Sequence, residues 1–428
     1  MICLRVGIAG LGTVGAGVVK LLHDNAELIS QRAGMPVTVT AVSARNRELD
    51  RGIALDGLRW HADALGLVAD PDVDVVVELI GGSEGLARVL VERSLAAAKP
   101  VVTANKALLA IHGTALAQAA AASGVVLGFE AAVAGGIPVI KALREGLAGN
   151  RISRVAGILN GTCNYILTVM RAEGTDFAEV LADAQALGYA EADPSFDIDG
   201  IDAAHKLAIL AALAFGRQVD FAAVHVEGIR RINALDISFA EELGYRIKLL
   251  GIAQETASGV EMRVHPAMVP KTALLASVDG VYNAVLAQGD FVGAIFLQGR
   301  GAGAGPTASA VVADLIDIAR GSKIPVWGVA GARLSEPPVP ISQHHGAYFL
   351  RLMVVDQPGV LADVTAILRD HGVSLESMLQ HGRGLDQAVP IVLVTHETGE
   401  AAIGKAIARI AMLEAVLEPP ALIRIEPS

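Results

Sequence analysis

The segment from Gly188 to Lys206, GYAEADPSFDIDGIDAAHK, carries five carboxylates, Glu191, Asp193, Asp197, Asp199 and Asp202, before a single lysine. Acids this dense, ahead of a strongly apolar stretch, could converge on an ammonium group while Lys206 handles a proton. Such a site would suit a substrate that carries its own amine. A plainer account covers the same residues. The pattern predicts a helix from about Gly200, with Asp199 as N-cap and Asp202 in the first turn, where capping and the helix dipole favour acids. Asp202 and Lys206 are then i and i+4 on one face, a pair worth about 0.2–0.5 kcal/mol on an exposed helix. GYAEADPSFD, with Gly188 and Pro194, reads as an ordered loop.

A second polar cluster lies in RVAGILNGTCNYIL (Arg154–Leu167), which reads as strand, turn and helix. Asn160, Thr162 and Asn164 crowd around Gly161. They serve as an N-cap cluster, or as a place where a backbone approaches a ligand and neighbouring amides orient it. Asn160, Gly161 and Thr162 are therefore candidate substrate-binding residues. Cys163 is expected to pack rather than react, since no histidine is near it in sequence.

These residues need a scaffold, and the N-terminus supplies its signature. LRVGIAGLGTVGAGVVKLL begins as a buried strand, Leu4 to Ala9, followed by Gly10-x-Gly12-x-x-Gly15 and a run with helical period through Leu22. In that context the glycines read as a dinucleotide fingerprint. Gly10 permits the tight turn, Gly12 the approach of a pyrophosphate, and Gly15 close helix–strand packing. Gly10, Leu11, Gly12, Thr13, Val14 and Gly15 are the expected cofactor cradle, at a helix N-terminus suited to phosphate. The second strand, VTVTAVSARN, ends on Ser43-Ala44-Arg45 and lacks the acid that usually holds the ribose diol of NAD. Arg45 suits a 2′-phosphate, so NADP(H) is expected ahead of NAD(H). Alternatively, Arg45 stacks on adenine or faces solvent.

VDVVVELIGG (Val73–Gly82), KPVVTANKALLA (Lys99–Ala110) and GVVLGFEAAVAGGIPVI (Gly124–Ile140) continue the β-α-β rhythm, which predicts an α/β doubly wound parallel sheet. Asn105 and Lys106 fall at the carboxyl edge, where such sheets bind ligands. QGRGAGAGPTASAVVADLIDIAR (Gln298–Arg320) is a glycine-rich turn entering a helix at Pro306. It lacks the lysine of a phosphate loop that hydrolyses ATP.

Bulk properties bound the function. The chain has 428 residues, 53% of them hydrophobic and 4% aromatic, enough for two or three domains with aliphatic cores. A net charge of −11 without a basic stripe argues against a nucleic-acid partner. Two cysteines, Cys3 and Cys163, make no disulfide framework. No apolar run is long enough for a membrane span, and Arg5 interrupts the N-terminal apolar stretch, so neither a membrane partner nor a signal peptide is expected. A cytoplasmic location fits best.

GLGTVG, TANKALLA, NGTCNYIL and GYAEADPSFDIDGIDAAHK, in this order and approximate spacing, resemble the homoserine dehydrogenases. The resemblance runs through about residue 325. It implies reversible hydride transfer between nicotinamide and the C4 carbonyl of L-aspartate 4-semialdehyde, giving L-homoserine. By the same resemblance Lys206 is the proton donor and acceptor, and Lys106 a second lysine near the nicotinamide and the reacting oxygen. Glu191 binds the substrate amine, while Asp197 and Asp202 contact the amine or hydroxyl, or orient the lysine. A monovalent cation, usually sodium, would be held by Glu130 and the carbonyls of Val133, Gly135 and Ile137. Ala132 and Ala134 occupy variable positions of that loop. The helix after Gly305 is expected to return to the nucleotide domain, its glycines closing over the cofactor.

Gly331–His345, with Pro337, Pro338 and Pro340, reads as a linker in which His344 and His345 are solvated. Beyond it, the βαββαβ order and the loop DQPGVL resemble an ACT domain, a regulatory module that binds small ligands. Threonine is the implied effector, although Ser374 stands where many such domains have Asn. A purely structural dimerisation module is the alternative. The expected organisation is a dinucleotide-binding domain over 1–135 with 300–325 returning, an α+β catalytic and dimerisation domain over 136–299, a linker, and an ACT-like domain over 346–428, assembled as a homodimer or homotetramer. No kinase domain is expected before the first strand, which excludes a bifunctional aspartokinase. The competing functions are another amino-acid semialdehyde reductase and a catalytically silent amino-acid sensor.

Overall fold

A computed structural model describes residues 3–330, 339–381 and 388–427. The first segment folds as β1 (Leu4–Ala9), α1 (Thr13–Asp24), α2 (Ala26–Ala33), β2 (Val37–Ser43), β3 (Arg59–His61), α3 (Gly66–Ala69), β4 (Val75–Glu78), α4 (Leu86–Ala96), β5 (Val101–Thr103), α5 (Lys106–Ser123) and β6 (Leu127–Gly128). The strands are parallel, in the order β3-β2-β1-β4-β5-β6. That is the doubly wound order, which opens a crevice at the carboxyl ends of β1 and β4. Val6, Ile8, Val75, Val76 and Val77 are fully buried, which explains the continuous apolar runs.

The middle segment contributes α6 (Val139–Lys141), β7 (Ile152–Ile158), α7 (Gly161–Glu173), α8 (Phe177–Ala186), α9 (Ser195–Ile198), α10 (Ile201–Phe215), β8 (His225–Val226), α11 (Ala234–Glu242), β9 (Tyr245–Thr256), β10 (Gly259–Pro270), β11 (Tyr282–Gly289), β12 (Gly293–Arg300) and α12 (Ala304–Ala319). The helix α12 packs against α1 of the first segment. A Cβ on Gly17 of α1 would lie 2.8 Å from the Ala304 carbonyl, so the two helices touch through backbone.

The C-terminal segment is β13 (His345–Val355), α13 (Val360–Asp370), β14 (Leu375–Gln380), β15 (Ala388–Thr395), β16 (Thr398–Gly399), α14 (Glu400–Ile410) and β17 (Ala421–Ile425), the βαββαβ order with one short extra strand. Its sheet is continuous with that of the middle segment, in the path β12-β11-β7-β9-β10-β17-β13-β15-β14. The join is a parallel pairing of β10 with β17 at Ala267↔Arg424 and Met268↔Ile425. Charges buried at this seam are paired. Glu426 takes Arg263 at 2.8 Å and Arg154 at 3.0 Å, Arg424 grips Glu227 at 3.0 Å, and Arg351 Nε meets Asp236 at 2.6 Å.

Three local expectations change. Asp199 is not the cap of α10; Gly200 occupies that place with φ of 85°, and Asp199 turns outward to Arg230. Pro194 instead opens a short helical turn, α9, inside the stretch read as loop. In the proposed linker, Pro337 and Pro338 lie outside the described residues. His344, expected to be solvated, is largely buried, with Nδ1 2.9 Å from Glu261. No helix among the described residues is long and apolar enough to cross a membrane.

Candidate active site

The glycine turn after β1 has the stereochemistry the fingerprint demands. Gly10 has φ of 99°, and a Cβ there would lie 2.5 Å from the Leu79 carbonyl. On Gly15 it would lie 2.0 Å from the Gly10 carbonyl, so only glycine brings α1 this close to β1. Gly12, by contrast, is exposed, and a Cβ there would meet nothing within 4 Å. Leu11 is buried beneath the turn, while Thr13 and Val14 open the helix. Arg45 lies exposed just past β2. Gly305 sits in the first turn of α12, also with open space at its Cβ position.

Across the crevice, Lys106 and Lys206 converge on Asp202. Lys106 leads α5 directly after β5, with Asn105 as cap: the Asn105 side chain accepts the Leu108 N–H at 3.1 Å. Behind it, the buried Glu78 carboxylate accepts the Thr103 hydroxyl at 2.6 Å and the amides of Ile80 and Gly81 at 2.8 and 2.9 Å, fixing the ends of β4 and β5. Lys106 Nζ lies 2.9 Å from Asp202 Oδ1. Lys206 Nζ lies 2.6 Å from Asp202 Oδ2 and donates to the Leu159 carbonyl at 2.7 Å. The pair is thus not the solvated helix pair of the plainer account: Asp202 and Lys206 are both buried, as is α10 on every side through Leu213.

Asn160 ties the acids together. It caps α7 by accepting the Cys163 N–H at 2.8 Å, and its amide donates to Asp197 Oδ1 at 2.8 Å and to Asp202 Oδ2 at 2.9 Å. The N-cap reading of Asn160 holds, and the same side chain also joins two carboxylates. Gly161 opens α7, where a Cβ would lie 2.8 Å from the Val281 carbonyl. The Thr162 hydroxyl reaches Asp197 Oδ2 at 3.2 Å and the Tyr189 carbonyl at 2.9 Å. Glu191 is exposed at the rim, near enough to act electrostatically on Lys106. Cys163 is buried and its thiol pKa pushed up, first by burial and then by Asp197 and Asp202, which suits packing.

The two lysines differ. Burial opposes the charge on Lys106, but Asp202, assisted by Asp197 and Glu191, outweighs it and raises its pKa. For Lys206 burial wins over Asp202, Lys106 adds repulsion, and the pKa falls. Burial opposes charge on Asp202 too, yet the lysines hold its pKa well below the carboxylate range. Two ammonium groups that share one carboxylate are thus shifted in opposite directions, Lys106 up and Lys206 down.

Glu130 is buried at the end of the first sheet, its two oxygens accepting the amides of Ile140 and Lys141 at 2.9 Å. Val133 is buried in the loop that follows, and Ala134 and Gly135 have φ of 55° and 44°. The Ile137 carbonyl accepts the Val139 N–H at 2.7 Å.

Comparison with known proteins decides the family. Models described as the homoserine dehydrogenase NAD-binding domain, homoserine dehydrogenase and the ACT domain match residues 10–130, 138–316 and 348–413. The chain is 49% identical to the homoserine dehydrogenase of Pseudomonas aeruginosa and 48% to that of Neisseria gonorrhoeae, covering 99% and 98% of those proteins and 99% of itself. The chain belongs to the homoserine dehydrogenase family. A crystal structure of the family member from Thiobacillus denitrificans superposes with a TM-score of 0.93 at 49% identity, covering 100% of this chain and 99% of that one. A hyperthermophilic archaeal homoserine dehydrogenase solved in complex with NADPH matches at a TM-score of 0.63 and 26% identity, covering 74% of this chain and 97% of that one. As a homoserine dehydrogenase with an ACT domain, the protein is an oxidoreductase of amino-acid biosynthesis with a nicotinamide-binding domain.

Sequence reasoning missed several residues of this dehydrogenase. Arg51 donates to the Leu11 carbonyl at 2.9 Å and lies with Arg47 over the Trp60 ring, tying the glycine turn to the loop after β2. Lys248, buried under α7, lies 3.0 Å from Asp279, and burial lowers its pKa to about 8. A lysine within the apolar part of β9, two residues after Arg246, was its only signal.

Proposed function

We propose that this homoserine dehydrogenase interconverts L-aspartate 4-semialdehyde and L-homoserine with Lys206 as proton carrier, NADP(H) as preferred cofactor and NAD(H) as an alternative. The observation that carries the reading is the convergence of Lys106 and Lys206 on Asp202. The nicotinamide supplies or accepts the hydride. Gly10 through Gly15 would hold the pyrophosphate against the N-terminus of α1, where Gly12 leaves room for it. Arg45 would take a 2′-phosphate, with Lys106 and Gly305 closing on the cofactor.

The substrate amine would be held by Glu191 and Asp197 at the rim. Negative charge building on the C4 oxygen is met by two cations, Lys106 fixed and Lys206 able to give its proton. In the reverse direction a neutral Lys206 takes the hydroxyl proton, which its lowered pKa favours. Asp202 keeps both lysines in place, while Asn160 and Thr162 hold Asp197 in register with it.

A sodium ion would be held by Glu130 with the carbonyls of Val133, Gly135 and Ile137. The Glu130 pKa is raised to about 7 by burial and by Asp314, a penalty on the anion that a bound cation relieves. The Ile137 carbonyl, already accepting one amide, keeps a second lone pair. The ACT domain takes an amino-acid effector, threonine as end product being the candidate, and the chain works as a homo-oligomer in the cytoplasm.

The test is the initial rate of homoserine-dependent reduction of NADP and of NAD, with and without threonine, for the wild type and Lys206→Ala. Turnover by the wild type, loss in the variant with NADPH binding retained, and inhibition by threonine are expected. Full turnover by Lys206→Ala would remove its role.

A further inference from the structure

The Leu159 carbonyl lies just after β7, ahead of the Asn160 turn, and accepts two donors. One is Lys206 Nζ at 2.7 Å; the other is Asn283 Nδ2 at 3.0 Å. Asn283 is an amide in the apolar strand β11 and is only 1% exposed. Two glycines hold it in place. A Cβ on Gly301, in the turn before α12, would fall 2.2 Å from both the amide carbon and nitrogen, and one on Gly161 would lie 3.5 Å from the amide oxygen. The amide is therefore clamped between the glycine-rich turn and the turn that carries Asn160.

We propose that Asn283 is a positioning residue for Lys206, holding the Leu159 carbonyl so that the proton of the lysine leaves and returns along one direction. A protonated amine has three N–H bonds. Asp202 Oδ2 and the Leu159 carbonyl take two of them, which leaves the third for the substrate oxygen. When that proton leaves, the same two acceptors keep the remaining N–H bonds, and the lone pair points where the proton was. This direction is only as fixed as the acceptors. Asp202 is held by Lys106 and Asn160, and the Leu159 carbonyl by Asn283. A carbonyl oxygen has two lone pairs, so the two donors do not compete for one.

The inference rests on Lys206 as proton carrier, so Lys206→Ala is assayed beside it. Asn283→Leu keeps the approximate shape and deletes the donor. Its kcat is expected to fall roughly tenfold or more, as for a misaligned reacting group, with the KM for homoserine changing little. The lysine limb of the kcat–pH profile is expected to move to lower pH by about half a unit, because a loosened acceptor stabilises the ammonium less. Gly301→Ala, which displaces the amide from the opposite side, reproduces both effects and carries the test if Asn283→Leu does not fold. Wild-type kcat with an unmoved limb in folded Asn283→Leu, while Lys206→Ala is inactive, overturns the proposal and leaves Asn283 a filler of space. Full activity of Lys206→Ala removes the lysine assignment and this inference with it.

Discussion

Lys106 and Lys206 bind opposite oxygens of one buried carboxylate, at 2.9 and 2.6 Å, although 100 residues of sequence separate them. The shared acid is what allows two ammonium groups to stand together in a desolvated crevice. Asp202→Asn should therefore do more than remove a contact. It leaves two cations facing each other without the carboxylate they share, and the more buried Lys206 loses its proton first. Turnover is expected to fall at least about a hundredfold, the scale of a lost acid–base group, while the protein stays folded and binds NADPH. Retained turnover would show that the lysines do not need the acid.

The lowered pKa of Lys206 sets a pH dependence with a definite sign. With Lys206 as the proposed proton carrier, reduction of the aldehyde uses the protonated lysine, so its kcat should fall as pH rises through that pKa. Oxidation of homoserine needs the neutral form and should rise over the same interval. The crossing is expected below the ordinary lysine value of 10.5. Measuring both directions across pH checks this, and two limbs that move together with pH would contradict it.

Cofactor choice should divide between two arginines. Arg45→Ala is expected to raise the KM for NADPH more than for NADH, since it removes a phosphate partner, by about tenfold for one lost charge-assisted contact. Arg51→Ala breaks the link to the Leu11 carbonyl and should weaken both cofactors alike. Initial-rate kinetics with each cofactor separate the two patterns, and equal loss in Arg45→Ala would refute the phosphate contact.

The doubly wound class of the first sheet was legible because one fingerprint and four apolar runs each specify a local element joined by right-handed crossovers, whereas the strand order and the short edge strand β3 carried no such signal. The family resemblance put Lys106, Asp202 and Lys206 in one site, but the residues alone did not show one carboxylate shared by both lysines. The i,i+4 spacing of Asp202 and Lys206 is equally that of a solvated helix pair, and only the burial of α10 separates the two readings. Gly200 was read as a helix start with Asp199 as cap, yet its left-handed φ made it the cap position itself. Leu159 acts through its backbone, which no side-chain pattern reveals. The seam between β10 and β17 escaped because strand pairing across about 160 residues has no local signal, although Arg263 and His265 within an apolar strand hinted at buried partners.

That seam makes a stability prediction. Arg351 of β13 and Asp236 of α11 are both buried, and Asp236 also completes the capping box with Asn233. Arg351→Met leaves the carboxylate buried without its cation and should destabilise the fold by about 3–5 kcal/mol. Adding Asp236→Asn should restore part of this, because the amide can still cap but needs no counter-ion. Thermal melting of the two variants decides it, and a double variant no more stable than the single would reject the ion-pair account.

The proposed cation site has a signature independent of turnover. Burial raises the pKa of Glu130 from 4.5 to about 7 and that of its neighbour Asp314 from 3.8 to about 6. Between the unfolded and folded values the native state binds more protons than the unfolded chain, so these two groups make stability fall as pH rises across that window. A sodium ion that binds the ionised Glu130 should reverse this contribution. Adding sodium in place of a large organic cation is expected to raise the melting temperature at pH 8 and to do little at pH 5, where Glu130 holds its proton. Glu130→Gln should abolish the sodium response, since the charge that binds the ion is gone. A sodium effect equal at both pH values, or unchanged in Glu130→Gln, would place the ion elsewhere or nowhere.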